Sequence, residues 1–283
     1  MAAGRASSTE GMPTITTTDG TSIHYLDWGD GPPVVLSHGW VISARMWEYQ
    51  MTALAAAGLR VIAFDRRGCG RSDDPGRGYD PDTHADDLAQ LLAQLDLTDV
   101  TLVAHSMGAG EAARYLTRHG DSRIARLALV SPVTPFLLQT PDNPMGAPAE
   151  FFDAIYAALL DDRPAYLADN VDPFFGRHVG LEVSDAVVQW ALDLITAASP
   201  LATVEMQREY NATDFRPDVA AIAVPTLVIH GDSDAGAPLD LTGRRTAELI
   251  PGSELRVYEQ GPHGLFFTHR HRLNQDLLEF VKG

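Results

Sequence analysis

Short runs of apolar residues recur along the chain. Residues 33–37, 60–64, 100–103, 125–130, 224–229 and 255–258 are each too short for a helix and mostly apolar throughout, the pattern of strands buried on both faces. Between them the spacing changes to that of helices. Ala85, Leu88, Leu91, Leu92 and Leu95 fall on one stripe, and Thr83-His-Ala-Asp86 ahead of it fits a capping box. Ser43 is placed to cap a helix running to Ala57, with Gly58 as its stop. Further helices are expected over 107–119, ending at Gly120, over 239–249, and at the C-terminus, where Leu273, Leu277, Phe280 and Val281 recur. Near the start, 14–17 and 22–27 flank Asp19-Gly20, a hairpin signal. Buried strands alternating with amphipathic helices predict an α/β fold: a mostly parallel central sheet with helices on both faces.

The alternation stops between Pro135 and Pro217. That stretch has no clear strand and is rich in Pro, Ala and aromatic residues, among them Phe136, Phe174, Phe175 and Trp190. It is expected to be a helical insertion over one end of the sheet. The resulting organisation is a disordered leader at 1–12, a core in two parts at 13–134 and 218–283, and the insertion at 135–217.

Charge narrows the function classes. The 283 residues carry 21 basic and 38 acidic side chains, a formal charge of −17. Such a surface repels phosphate, which argues against nucleic acid and anionic membranes as partners. Lys282 is the single lysine, so there is no phosphate-binding Gly-Lys-Ser/Thr loop and no well-placed lysine for a Schiff base or a Ser–Lys dyad. Cys69 is the single cysteine, which excludes an intrachain disulfide and a zinc site built on several thiolates. No HExxH or other metal spacing appears. With no signal-like or membrane-spanning apolar run, a cytoplasmic location is the expectation.

Four segments carry candidate chemistry. Ser106 lies in Val103-Ala-His-Ser-Met-Gly108, between a strand and a helix, with small residues two positions either side. A serine on such a tight turn is pushed out above the sheet at the positive end of a helix; the plainer alternative is a helix cap. A serine nucleophile needs a base. His263, in Gly261-Pro-His-Gly264 after the last strand, is the best placed histidine, while His38, His105 and His230 at strand ends suit structural roles. The base needs a carboxylate to orient it. Asp232 and Asp234, in His230-Gly-Asp-Ser-Asp234, both qualify, and both also suit turns. Finally, the Trp40 N–H in Ser37-His-Gly-Trp40 and the N–H of Met107 could together form an oxyanion hole.

These pieces, in the order Ser, Asp, His, resemble the α/β-hydrolase family over nearly the whole chain after residue 12. His38-Gly-Trp40, Asp65–Ser72, His105-Ser-Met-Gly108, Glu111 and Pro262-His-Gly264 are most similar to its cofactor-free haloperoxidase and arylesterase group. The resemblance implies the α/β-hydrolase fold, with the insertion as a lid. It selects Asp234 as the acid, because the family pattern places Pro four residues later, here Pro238. Cys69 falls in the fold-marking turn and is expected to be inert. Two departures stand out: Ala104 replaces the usual Gly, and Val41 follows Trp40 where perhydrolysing members commonly have Pro. Val41 is expected to leave that loop freer than proline would and to favour hydrolysis.

The expected function is therefore a cofactor-free serine hydrolase acting on small, fairly apolar carboxylic esters or lactones. Ser106, His263 and Asp234 form its triad, Trp40 and Met107 its oxyanion hole, and Val41, Phe136 and Trp190 line its substrate pocket. Perhydrolase, haloperoxidase, C–C hydrolase or lyase chemistry on the same scaffold are the alternatives, as is a slow-turnover ligand receptor. The oligomeric state is open.

Overall fold

A computed structural model describes residues 12–283; the expected leader lies outside the described residues except for Met12. Strands β1 (Thr14–Thr16) and β2 (Ser22–Trp28) form the expected hairpin. There follow β3 (Pro33–Ser37), α1 (Glu48–Ala56), β4 (Arg60–Phe64), α2 (Pro81–Gln94), β5 (Val100–His105), α3 (Gly108–His119) and β6 (Ile124–Val130). Four helices come next: α4 (Ala149–Phe175), α5 (Asp185–Thr196), α6 (Pro200–Ala212) and α7 (Arg216–Ala220). The chain closes with β7 (Thr226–Gly231), α8 (Gly243–Leu249), β8 (Glu254–Tyr258), α9 (Leu265–Thr268) and α10 (Arg270–Lys282).

The eight strands form one sheet in the order β1-β2-β4-β3-β5-β6-β7-β8. β2 pairs antiparallel with β1 and β4, and every pair from β4 to β8 is parallel. The register explains why the strands read as continuous apolar runs. Val35 lies beside both Ile62 and Leu102, and all three point into a core with Leu88, Leu91 and Leu92 of α2 and Ala109 and Ala112 of α3. Their neighbours Val34, Leu36, Val61, Ala63 and Val103 point the other way, into a core with Met51 and Leu54 of α1 and Leu273 and Leu277 of α10. Side chains alternate across a strand, so helices on both faces demand apolar residues at every position.

Local expectations needed three adjustments. Thr83 lies inside α2 rather than at its cap: Asp80 caps the helix through a 2.9 Å bond from the Thr83 N–H, with Pro81 at the first helical position. Ser43 begins a 3₁₀ turn, Ala44–Trp47, that leads into α1. Residues 239–242 are turns held by Pro238 and Leu239 carbonyls, so α8 starts only at Gly243.

No single helix among the described residues is long and apolar enough to cross a membrane. The α5–α6 pair reaches such a composition only across an 88° bend, and α6 buries Ala202, Thr203 and Met206 in the protein.

Candidate active site

The C-terminal ends of β3, β5, β7 and β8 deliver the residues of the site, as expected for an open parallel sheet. Ser106 follows β5 directly and has φ 54°. A non-glycine residue in this region is strained, and such strain concentrates at functional sites. Here the backbone is held on both sides: the Ser106 N–H donates to the Val130 carbonyl at 2.9 Å, and its own carbonyl accepts from Ala109 at 3.0 Å.

His263 stands on the loop between β8 and α9. Its Nε2 lies 2.8 Å from Ser106 Oγ and its Nδ1 2.7 Å from Asp234 Oδ2. A carboxylate can only accept, so Nδ1 carries the proton and Nε2 is left to accept from the serine hydroxyl. The other oxygen of Asp234, Oδ1, accepts the N–H groups of Gly236 (3.0 Å) and Ala237 (2.7 Å). His230 Nε2 lies 3.3 Å from Oδ2. Burial alone would raise this carboxyl, but the electrostatic attraction of His263 and the hydrogen bonds from both histidines outweigh it and hold Asp234 well below the usual carboxylate range. Asp232 faces elsewhere, its Oδ1 accepting from Ser233 Oγ at 3.1 Å.

A backbone contact brings the acid and base loops together. A Cβ on Gly231 would stand 1.9 Å from the Gly261 carbonyl oxygen, so only glycine fits where β7 and the histidine loop meet.

Trp40 and Met107 both leave their backbone N–H without a protein acceptor among the described residues. Met107 precedes α3, where N–H groups are free and the helix end favours negative charge. The Trp40 indole donates to the Thr203 carbonyl of α6 at 3.0 Å, tying this loop to the insertion.

Val41 departs from expectation. It has φ 43°, and the Ile42 N–H donates to the Trp40 carbonyl at 2.6 Å across it, closing a tight turn. The loop is constrained rather than free, and the Val41 side chain, 1% exposed, packs in the core with Met107. Two other expected pocket residues also have neighbours of their own. Phe136 lies under the Arg216 guanidinium, 5.2 Å from its ring centre, and Trp190 of α5 packs, partly buried, against the core cluster that also holds Val171 and Phe175 of α4.

The aromatic residue that does meet the site is Phe174, near the end of α4. Its ring lies 5.6 Å from that of His263, edge to face, and its carbonyl accepts the Gly264 N–H at 2.7 Å. Sequence offered no signal for this choice among the aromatics of the insertion, because the contact depends on where a long helix ends.

The supporting histidines have partners that the sequence does not indicate. His105, behind the nucleophile, lies 3.0 Å through Nε2 from the His263 carbonyl, and burial pushes its pKa down to about 3. Neutral at working pH, it can donate that bond and hold the base loop. Cys69 is buried, which pushes its thiol up to about 12 and makes it inert.

The arrangement can carry out nucleophilic acyl transfer: a serine beside an imidazole, an imidazole oriented by a buried carboxylate, and two free N–H groups nearby. Ser106 and His263 are only 5% and 8% exposed, so little of either residue meets solvent.

Comparison with known proteins agrees with this architecture. Residues 32–270 match the alpha/beta hydrolase fold family. The non-heme chloroperoxidase CPO-A1 of Kitasatospora aureofaciens is 43% identical over 276 residues, 95% of this chain and 99% of that protein. The bifunctional esterase/perhydrolase DCH of Acinetobacter calcoaceticus is 36% identical over 96% of this chain and its own full length. The crystal structure of a bromoperoxidase from Bacillus anthracis superposes with a TM-score of 0.91 at 42% identity, covering 96% of this chain and all of that one. With its sheet order, its strand-end residues and these full-length similarities in agreement, the chain belongs to the α/β-hydrolase family, in the group of the non-heme haloperoxidases.

Proposed function

We propose that this α/β-hydrolase cleaves small, fairly apolar carboxylic esters or lactones through an acyl-enzyme on Ser106. The observation that carries the reading is the unbroken line from Ser106 Oγ through both nitrogens of His263 to Asp234, at 2.8 and 2.7 Å. His263 takes the serine proton as Oγ attacks the carbonyl carbon. The Trp40 and Met107 N–H groups receive the charge that forms on the carbonyl oxygen. His263 then passes the proton to the leaving alcohol, and water, activated by the same imidazole, releases the acid. The helices between β6 and β7 act as the lid, with Phe174 packed on the base and Thr203 holding the oxyanion loop.

Perhydrolysis is the second reading, favoured by the names of the relatives. Hydrolysis is preferred here because the turn at Val41 aims the Trp40 carbonyl through a φ of 43°, which proline cannot adopt.

A panel of p-nitrophenyl esters and lactones, each with and without peroxide, tests the proposal. It predicts turnover of short and medium acyl esters with little peracid formed. A ligand-dependent thermal shift without turnover would support a receptor instead.

A further inference from the structure

Beneath the oxyanion loop lies a buried ionic cluster that the reaction above does not use. Arg66, two residues beyond β4, is paired with Glu111 of α3; their side chains are 1% and 0% exposed. Arg66 Nε donates to Glu111 Oε2, and Nη2 donates to Ser37 Oγ at 2.5 Å. Ser37 Oγ in turn donates to Glu111 Oε2 at 3.1 Å.

The remaining nitrogen, Nη1, lies 3.2 Å from the Gly39 carbonyl and 3.0 Å from His38 Nδ1. These two contacts differ in kind. His38 Nε2 is 3.0 Å from the Arg66 backbone N–H, which can only donate, so Nε2 accepts and the imidazole proton sits on Nδ1. That proton points to the Gly39 carbonyl, 2.7 Å away. The Arg66 Nη1 N–H on this side therefore goes to Gly39, since Nδ1 has no free lone pair. Burial and the Arg66 charge hold His38 well below its ordinary range, which keeps the ring neutral.

The Gly39 carbonyl belongs to the same peptide unit as the Trp40 N–H. The unit is trans, so the two groups point in opposite directions. Gly39 also lies against the nucleophile: a Cβ there would stand 3.5 Å from Ser106 Cβ.

We propose that Arg66 is a positioning residue for the oxyanion hole, holding the Gly39–Trp40 peptide from behind so that its N–H faces the acyl oxygen. The inference rests on the acyl-enzyme reading above. A charged donor on the carbonyl also polarises the peptide and strengthens its N–H as a donor. Because Glu111 stands in the first turn of α3, the same guanidinium ties the Trp40 donor to the helix that follows the Met107 donor. Gly108 makes room for this link: a Cβ there would stand 2.6 Å from Ser37 Oγ and 3.0 Å from Arg66 Nη2.

A structural role predicts something different. A buried ion pair is weak evidence for stability, and replacing both partners with apolar residues is often neutral. The test is therefore the double variant Arg66→Met/Glu111→Leu beside a matched control, Arg67→Met/Asp87→Leu. Arg67 is equally buried and bonds Asp87 through two contacts of 2.7 Å, with no recorded contact to the oxyanion loop. Thermal melting and fluorophosphonate titration first establish how much of each variant is folded and active.

Per titrated site, the Arg66 double variant should lose about 10- to 100-fold in kcat with KM little changed. Affinity for a trifluoromethyl ketone, which forms an oxyanion on binding, should fall by the same factor, whereas the control pair should keep both. Arg66→Lys preserves the charge but cannot reach Glu111 and Gly39 at once, so it carries the same prediction if the double variant does not fold. Parental kcat and ketone affinity in a folded Arg66 variant would overturn the proposal. A parent that neither titrates nor turns over esters would overturn the acyl-enzyme reading beneath it.

Discussion

Asp234 is bonded on every side, and its environment predicts what each change should do. One oxygen takes two backbone N–H groups, and the other takes His263 with His230 close by. Asp234→Asn turns an acceptor into a donor facing Nδ1 and stabilises the wrong tautomer of His263. It should lower kcat by roughly 10⁴-fold. Asp232→Asn should alter kcat little, since Asp232 bonds only its neighbour Ser233 among its side-chain contacts. Steady-state kinetics of the two purified variants decide the matter, and a dead Asp232→Asn would reassign the acid. Val41 offers a second test at this scale. Val41→Gly can keep φ 43° without strain and should leave the ratio of peracid formation to ester hydrolysis unchanged. Val41→Pro must abandon that φ and so re-aim the Trp40 carbonyl, and its ratio should rise. An unchanged ratio in the proline variant would separate the turn from nucleophile choice.

Among the elements, legibility followed the length over which a pattern repeats. The strands were readable because a sheet covered on both faces requires apolar residues at every position, as Val34, Val35 and Leu36 show. α2 was readable from its stripe, but its start was not. Asp80 and Thr83 are equally good caps by residue type, and only the Pro81 that follows Asp80 separates them. The positions of Ser106 and His263 are legible because strand ends and flanking small residues mark them, whereas between Asp232 and Asp234 only the family pattern, with Pro238 four residues on, decides. The insertion was legible only as helical. α4 has Asp162 at φ −143° just ahead of Pro164, so its two halves point in different directions and its aromatics do not form one stripe. Phe174 was therefore indistinguishable from Phe136 or Trp190 in sequence. The structure separates them by place, since only Phe174 packs its ring on His263: Phe174→Ala should shift acyl-chain-length preference more than melting temperature. Trp190→Ala, which opens a gap in the core, should do the reverse. Chain-length profiles and melting curves of the two variants measured together provide the check, and identical profiles would remove Phe174 from the pocket.

For the molecule as a whole, buried histidines make stability depend on pH. His38, His84 and His105 are all held below their ordinary range, chiefly by burial. Asp65, Asp87 and Glu111 are pushed up by burial and act in the opposite sense, so the test must be differential. The unfolded chain binds a proton at each histidine as pH falls through about 6.5, and the folded chain does not, so acid favours unfolding. Replacing His84, which packs with Tyr210 away from the triad, removes one such group. The stability of the parent relative to His84→Gln should therefore fall between pH 7 and 5, with a limiting slope of about 1.4 kcal/mol per pH unit. A constant difference in urea unfolding across that range would contradict it. The proposed chemistry requires one nucleophilic serine in this chain, and intact-mass analysis with peptide mapping after fluorophosphonate treatment reports it. One adduct per chain is expected, on Ser106, and none on folded Ser106→Ala. Stoichiometric labelling of that folded variant, or an adduct mapped to another residue in the parent, would contradict it.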